Sequence, residues 1–298
     1  MKDFCGLVSI IGRPNVGKST LLNRLIEQKI SITSRKSQTT RNNILGIKTK
    51  ENHQMVFIDT PGVHINASKV MNKVLNQSAL GAIEDADLII FMLQRNKINT
   101  LDELILERLK EVKTKKICVI NKLDQVASIN SLLPVIEKLR SEHDFAEIIP
   151  VSAKTGKNIN ELENMICQNL PENNHLYNSD TKFLAKESFM ISEIIREKII
   201  RFLGEELPHE TYVQLQKLED KENIINIDAE IIVARESQKG IVVGKNGAKL
   251  KKIGEKARID LEKFFNKKVF LKTWVKTKKN WNNDSDFISS LGIGSLYD

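Results

Sequence analysis

One segment near the start of the chain has the pattern G-x-x-x-x-G-K-[ST], whose residue types and spacing suit the binding of a polyphosphate. Glycine-permissive backbone turns its N–H groups onto phosphate, Lys18 reaches the β- and γ-phosphates, and Ser19 holds Mg²⁺. The predicted phosphate-binding residues are Gly12, Arg13, Pro14, Asn15, Val16, Gly17, Lys18, Ser19 and Thr20. Alone, this pattern predicts a nucleoside triphosphate and leaves the base open.

Two later segments indicate the base. The carboxylate of Asp124 can accept two hydrogen bonds, from the N1–H and the exocyclic amine of guanine, and adenine does not offer these two donors together. Asparagine and aspartate are also common in surface turns, so Asn121 and Asp124 could be ordinary turn residues. Their position directly after an apolar run favours the guanine-binding role. The predicted guanine-binding residues are Asn121, Lys122, Leu123, Asp124, Ser152, Ala153 and Lys154. The sequence therefore predicts a GTP pocket.

Short apolar runs precede these segments and are typical of buried strands. Every run except residues 88–93 leads straight into a segment predicted to contact nucleotide. After the first of these segments, residues 19–26 show the apolar spacing of a helix. Ligands of open α/β sheets bind at the carboxyl ends of the strands, so we expect all of these segments at one edge. The sequence thus predicts a doubly wound, mostly parallel α/β domain over residues 1–170. The runs are 6–11, 54–58, 88–93, 116–120 and 147–151.

The pattern changes after residue 170. Residues 171–182 are rich in Pro, Asn and Ser, which is typical of a linker, with a simple loop as the alternative. Residues 183–298 then predict a second domain: a helix (183–203), two strands (212–218 and 224–233), a G-x-x-G loop between helical segments, a strand (268–275) and a short covering helix (287–292). This order resembles the α+β fold of a type II KH domain.

Basic residues are concentrated in one stretch of the second domain. The chain has a formal net charge of +8, whereas residues 239–279 alone contain 14 basic and 3 acidic residues. Such a patch is typical of a polyanion binder, although a solvated lysine-rich face is the alternative. In a G-x-x-G loop two glycines let backbone approach phosphate closely, so we expect single-stranded RNA as ligand. The predicted RNA-binding residues are Gly244, Lys245, Asn246, Gly247, Lys249, Lys251 and Lys252.

Over nearly its whole length, including residues 12–23, 32–41 and the C-terminal KH module, the sequence resembles the bacterial Era-type GTPases. That resemblance implies a GTP- and GDP-binding switch that binds 16S ribosomal RNA near its 3′ end and assists RNA processing and assembly of the small ribosomal subunit. It also implies peripheral association with the inner membrane. The alternative is a signalling GTPase whose C-terminal domain binds protein or membrane.

Roles in GTP hydrolysis follow from the chemistry and from this resemblance. Phosphoryl transfer to water requires positioning and charge neutralisation, and the predicted catalytic residues are Lys18, Thr40, Asp59 and Gly62. The predicted Mg²⁺ ligands are Ser19, Thr40 and Asp59, with Asp59 acting through water. The predicted switch residues are Thr39, Thr40, Asp59, Thr60, Pro61, Gly62 and Val63, with Thr39 as the alternative to Thr40 as the switch threonine.

Val63 stands where Ras-like enzymes carry glutamine shortly after the aspartate-to-glycine motif. An apolar side chain cannot orient the attacking water, so slow intrinsic hydrolysis is expected. A monovalent cation such as K⁺, with Asn15 as a ligand by resemblance to potassium-stimulated GTPases, is one candidate for the missing assistance.

Composition sets the remaining expectations. Three separate cysteines, Cys5, Cys118 and Cys167, have neither zinc-type spacing nor an even disulfide set, which suits a reducing compartment. The N-terminus lacks a long apolar run. We therefore expect a cytoplasmic protein, a monomer, with buried and unreactive thiols.

Overall fold

The computed structural model describes residues 2–32, 44–60, 70–95, 97–203 and 210–291, which form two units, each around its own β-sheet. The first unit contains β1 (Phe4–Ile11), α1 (Lys18–Ile26), β2 (Ile44–Lys50), β3 (His53–Asp59), α2 (Val70–Glu84), β4 (Leu88–Gln94), α3 (Thr100–Lys110), β5 (Lys115–Asn121), α4 (Leu133–Glu142), β6 (Glu147–Pro150), α5 (Ile159–Asn169) and β7 (Phe183–Leu184). Its strand order is β6-β5-β4-β1-β3-β2-β7. The predicted α/β sheet is confirmed.

Strands β1, β3, β4, β5 and β6 pair in parallel, and β2 is antiparallel to both β3 and β7. Strand β4, in the interior of the sheet, has side chains alternately in two apolar clusters, with Ile90 in one and Phe91 in the other. Helices therefore cover both faces of the sheet, which explains the continuous apolar run in this strand.

Strand β2 was not among the predicted strands, because Gly46 interrupts its apolar residues. The structure gives a reason for the glycine. A Cβ at position 46 would lie 2.9 Å from both Leu22 Cδ1 and Ile30 Cδ1 and 3.0 Å from Ile26 Cγ1. Helix α1 and the residues after it thus pack directly on the β2 backbone.

The predicted linker, residues 171–182, lies against the first sheet. Cys5 N–H donates to Pro171 O at 3.1 Å, and Gln54 Oε1 accepts from the N–H groups of Leu176 and Tyr177 at 2.8 and 2.9 Å. Strand β7, predicted as the start of the second domain, pairs with β2 of the first sheet instead. Phe183 reaches the apolar core there, so burial fixes it to the first unit. We therefore propose to move the domain boundary from 182/183 to 184/185.

The second unit has the predicted order of elements. It contains α6 (Glu187–Phe202), β8 (Thr211–Asp220), β9 (Ile224–Val233), α7 (Glu236–Val243), α8 (Ala248–Phe265), β10 (Lys268–Thr277) and α9 (Ser285–Ser290). Strand β9 is central, parallel to β10 and antiparallel to β8. Helices α6 and α8 pack on one face of this sheet around Ile195, Ile227 and Leu261. The predicted α+β fold is confirmed.

The C-terminal residues contact both units. Trp281 is fully buried, and its Nε1–H donates to Glu210 O at 3.1 Å. It shares an apolar cluster with Ile288 of α9 and with Met71 and Leu75 of α2. The predicted short helix begins at Ser285, two residues earlier than expected. Through this cluster it packs against the first unit as well as the second.

A buried carboxylate forms a second contact between the units. Glu197 of α6 is 1% exposed in its side chain and lies 2.6 Å from Lys29 Nζ of the first unit. Arg201 Nη2 is 2.5 Å from the same carboxylate, and Lys198 Nζ is 3.4 Å away and also bonds Asp260. Three cations around one buried carboxylate offset the cost of taking it out of water.

In the described residues, no helix is long and apolar enough to cross a membrane.

The packing at Gly46 yields a prediction about stability. Gly46→Ala should destabilise the first unit by about 1–3 kcal/mol, because the added methyl group overpacks a filled core. Gly240→Ala is the matched control: it lies in α7, and a Cβ there would have no atom within 4 Å, so alanine should stabilise the second unit by about 0.5–1 kcal/mol. Urea unfolding of both variants measures the two changes. Equal stability of Gly46→Ala and wild type would contradict this packing.

Candidate nucleotide site

The phosphate-binding pattern lies between β1 and α1, as predicted. Gly12 and Gly17 have φ values of 152° and 110°, and Asn15 has a φ of 66°. A Cβ at position 17 would lie 2.3 Å from Asn121 Nδ2. Glycine at position 17 is therefore required both by its positive φ and by the close approach of Asn121.

Lys18 is held inside this loop. Its Nζ donates to Gly12 O at 2.9 Å and to Arg13 O at 3.2 Å, and the residue is 7% exposed. Burial lowers the pKa of Lys18 to about 8, while the negative charge of Asp59 opposes this shift. Two backbone carbonyls of the loop thus position the ammonium group.

One carboxylate oxygen of Asp59, at the end of β3, accepts hydrogen bonds from two hydroxyl groups. Its Oδ2 accepts from Ser19 Oγ at 2.8 Å and from Ser31 Oγ at 2.7 Å. Thr60 is buried and donates through Oγ1 to Ile10 O at 2.8 Å, so it connects β3 with β1. Ser31 was not predicted, because no local pattern relates it to a residue 28 positions away.

Asn121 connects the phosphate loop with the predicted base loop. Its Nδ2 donates to Val16 O at 2.7 Å, and its Oδ1 accepts from Ala153 N–H at 3.0 Å. Lys122 Nζ donates to Asn15 O at 2.8 Å. In this arrangement both side chains bond backbone of neighbouring loops, although both were predicted to contact guanine.

Asp124 is exposed, and Ser152 orients its carboxylate. Ser152 Oγ donates to Asp124 Oδ1 at 2.6 Å, and Leu123 N–H donates to Val151 O at 3.0 Å. Arg24 of α1 binds the base loop from behind: its Nε donates to Ala153 O at 3.2 Å and its Nη2 to Lys154 O at 2.7 Å. Arg24 was not predicted, since its partners lie more than a hundred residues away.

An ion pair beside the phosphate loop was also not predicted. Arg13 Nε lies 3.0 Å from Asp102 Oδ2, and Asp102 is fully buried. Asp102 also accepts from Asn99 N–H at 3.1 Å and so completes the N-cap of α3. Burial raises the pKa of Asp102, while the Asn99 N–H and the Arg13 guanidinium lower it. Asp102 therefore positions Arg13, whose carbonyl accepts from Lys18.

The structure brings together most of the predicted nucleotide-site residues at the carboxyl ends of β1, β3, β5 and β6. Five predicted switch residues lie outside the described residues: Thr39, Thr40, Pro61, Gly62 and Val63.

The G-x-x-G loop lies between α7 and α8. Gly244 and Gly247 have φ values of 73° and 76°, and Asn246 has a φ of 51°. A Cβ at position 244 would lie 2.7 Å from Lys249 Cβ. Lys251 and Lys252 of α8 are exposed, as is Lys245 in the loop, and Lys249 is partly buried. The predicted RNA-binding residues thus form one positively charged segment at the start of α8.

Comparison with known proteins agrees with this pairing of domains. A family model described as a 50S ribosome-binding GTPase matches residues 7–122, and a KH domain model matches residues 206–282. GTPase Era of Coxiella burnetii (strain Dugway 5J108-111) is 47% identical over 290 residues, which are 97% of this chain and 98% of that protein. GTPase Era of Haemophilus influenzae (strain PittGG) is 46% identical over 98% of this chain and 97% of that protein. The chain belongs to the Era family of GTPases.

Solved Era structures share its fold over the full length. Era in complex with MgGDPNP and nucleotides 1506–1542 of 16S ribosomal RNA has a TM-score of 0.95 and 36% identity, covering 99% of this chain and 100% of that one. A single-residue variant of Aquifex aeolicus Era bound to GDP·AlF4⁻ has a TM-score of 0.94 at the same identity and coverage. This Era-family chain is a GTPase, as predicted.

The environment of Lys18 predicts a pH dependence of nucleotide affinity. Contact with phosphate favours the charged amine, so the pKa of Lys18 should rise from about 8 on binding. GDP affinity should then be constant at lower pH and fall as the pH rises above about 8. Fluorescent GDP titrations at fixed Mg²⁺ measure this. In the control Lys18→Arg the side chain stays charged, so its GDP affinity depends on pH only through other groups. The same dependence of GDP affinity on pH in both proteins would contradict the prediction.

The buried ion pair predicts an effect on nucleotide binding. Asp102→Asn keeps an oxygen for Asn99 N–H but removes the charge that holds Arg13. A hydrogen bond to a charged group contributes about 1.5–3 kcal/mol, so GDP affinity should fall by roughly tenfold or more. Glu103→Gln, an exposed neighbour in α3, is the control and should bind like wild type. If Asp102→Asn and Glu103→Gln bind GDP equally well, the ion pair between Arg13 and Asp102 does not contribute to nucleotide binding.

Proposed function

We propose that this Era-family GTPase is a GTP-driven switch that binds 16S ribosomal RNA near its 3′ end and assists RNA processing and small-subunit assembly. The observation that carries the RNA half is the G-x-x-G loop, with two glycines at positive φ beside exposed lysines. The relative solved with MgGDPNP and nucleotides 1506–1542 of 16S ribosomal RNA, at full-length coverage, supports the same function.

For guanine recognition we assign the central role to Asp124. Its carboxylate, held by Ser152, accepts from N1–H and the exocyclic amine of guanine. Asn121 and Lys122 act mainly by fixing the loops around the base, and Leu123, Ala153 and Lys154 complete the base side. These contacts hold the loops in one arrangement, and rigid loops lose less conformational freedom when a ligand binds.

For the phosphates, Lys18 exchanges its two carbonyl partners for phosphate oxygens, and the loop amides from Gly12 to Thr20 surround them. Ser19 and Asp59 would hold Mg²⁺, with Thr40 as a third proposed ligand. The donor set fits, because hydroxyl and carboxylate oxygens lie 2.8 Å apart and Mg²⁺ prefers oxygen ligands. When bound, Mg²⁺ neutralises charge on the β- and γ-phosphates. Thr40 and Gly62 are the proposed switch contacts to the γ-phosphate.

Hydrolysis should be slow without assistance, since Val63 cannot orient water. K⁺ remains a proposed activator, with the exposed Asn15 as its ligand. Peripheral membrane association, cytoplasmic location and a monomeric state stay predictions.

For RNA, Gly244 and Gly247 let the loop backbone approach phosphate, and Lys245, Asn246, Lys249, Lys251 and Lys252 supply polar and positive contacts. This binding should weaken steeply as salt concentration rises, because lysine contacts release counterions from the RNA.

The test is RNA-stimulated GTP hydrolysis, with a single strand from the 3′ end of 16S ribosomal RNA. Wild type should be stimulated, and Gly244→Asp/Gly247→Asp should lose the stimulation and bind the RNA at least tenfold less tightly, about 1.4 kcal/mol. The double variant places carboxylates against phosphate and also strains two positive-φ positions.

The control is Lys113→Gln/Lys115→Gln, which lowers the net charge equally at two exposed positions of the first unit. It should be stimulated like wild type. RNA affinity that the aspartate variant retains in full would contradict the RNA half of the proposal.

A further inference from the structure

Strand β10 has two chemically different rows of side chains. One row, with Val269, Thr273 and Val275, faces helix α8: Val269 and Val275 lie in the apolar core, and a Cβ at Gly254 of α8 would lie 3.8 Å from Thr273 Oγ1. The other row points to the opposite face of the sheet, because successive strand residues alternate. We call it the β10 row; its members are Lys268, Phe270, Lys272, Trp274 and Lys276.

Phe270 is unusually exposed. At 57%, it is the most exposed of the large apolar side chains in the part of the chain that the structure describes. Lys268 and Lys272, the flanking members of the row, are exposed too. A ring that is mostly exposed and lies between two lysines suits a ligand with flat apolar rings and negative charge.

Trp274, four residues after Phe270 in β10, is fixed by contacts of its indole ring. Its Nε1–H donates to Glu230 Oε1 of β9 at 2.9 Å, and Lys276 Nζ lies 3.7 Å from the same carboxylate. Lys272 Nζ is 5.9 Å from the centre of the indole ring. Phe270 and Trp274 lie four residues apart on the same face of β10, so they are about 13 Å apart along the strand.

The charges around the row favour an anion most at the Phe270 end. In the register of β9 and β10, Lys268 is paired with Ile224 and Phe270 with Asn226, neither of which is charged. Further along, Lys272 faces Asp228, and Glu230 is only 7% exposed beneath Trp274. Positive charge is therefore least compensated by the facing strand around Phe270.

We propose that the β10 row is a second RNA-binding surface, on which bases of a single strand stack on Phe270 and Trp274 while Lys268, Lys272 and Lys276 contact phosphates. It lies on the opposite face of the sheet from α8 and is therefore separate from the G-x-x-G loop. This inference rests on the proposed RNA-binding function and extends it to a further stretch of the same strand.

Tryptophan fluorescence reports on this surface directly. The chain has two tryptophans, and Trp281 is fully buried, so stacking of a base should quench Trp274 alone. The probes are oligo(A) of about four nucleotides, the length that a KH loop clamps, and of about 16 nucleotides. The longer probe should quench the signal, and Trp274→Phe should abolish the quenching while it retains an aromatic ring.

Affinity for the longer probe provides the second readout. Phe270→Ala should weaken it by roughly 5- to 100-fold, whereas Phe270→Tyr should bind like wild type. The control Ile129→Ala removes a side chain that is 55% exposed on the first unit and should change nothing. Affinity for the short probe should not depend on Phe270.

The outcomes separate this inference from the proposed function. If Gly244→Asp/Gly247→Asp reduces binding but neither Trp274 fluorescence nor Phe270→Ala responds to RNA, the β10 row binds no RNA and the loop assignment stands. If quenching and dependence on Phe270 occur without dependence on the loop, the row stands and the loop assignment fails. Absence of binding to either probe by wild type would overturn both.

Discussion

The nucleotide site depends on the amide side chain of Asn121. Both of its polar atoms are used: Nδ2 holds the phosphate loop at Val16, and Oδ1 holds the base loop at Ala153. The close approach is available only because position 17 is glycine. One side chain at the end of β5 thus sets the separation between phosphate and base contacts. Arg24 and Asp102 then fix the outer sides of the two loops, so the site is preorganised by neutral and ionic bonds together.

Local patterns predicted one class of feature and missed another. The phosphate loop, Asp124 and the strands before them are encoded in short windows, by residue type and by apolar runs. The pairs Arg13–Asp102, Ser31–Asp59 and Arg24–Ala153 join residues that are far apart and have no common period, so only the fold reveals them. Strand β2 was missed because close packing requires glycine at position 46, and glycine weakens a strand pattern. Composition suggested a linker at 171–182, where hydrogen bonds to Gln54 fix the backbone.

The two units meet through elements that adjoin the predicted switch residues in sequence. Lys29 lies shortly before residues 33–43 and contacts Glu197 of α6. Helix α2 directly follows residues 61–69 and packs on Trp281 and α9. Lys29 and α2, which adjoin these residues in sequence, therefore both contact the second unit. One contact is ionic and buried and the other apolar, so they respond differently to salt and temperature.

The attachment of residues 171–182 to the first sheet also limits how far the two units can separate. Strand β7 ends at Leu184 and helix α6 begins at Glu187, so only two residues, Ala185 and Lys186, connect these two elements. Two residues span at most about 7 Å. The connection therefore keeps the two units close together. An RNA bound by the second unit, as proposed, would stay within a fixed distance of a nucleotide bound by the first unit, at an effective concentration that dilution of the protein does not alter.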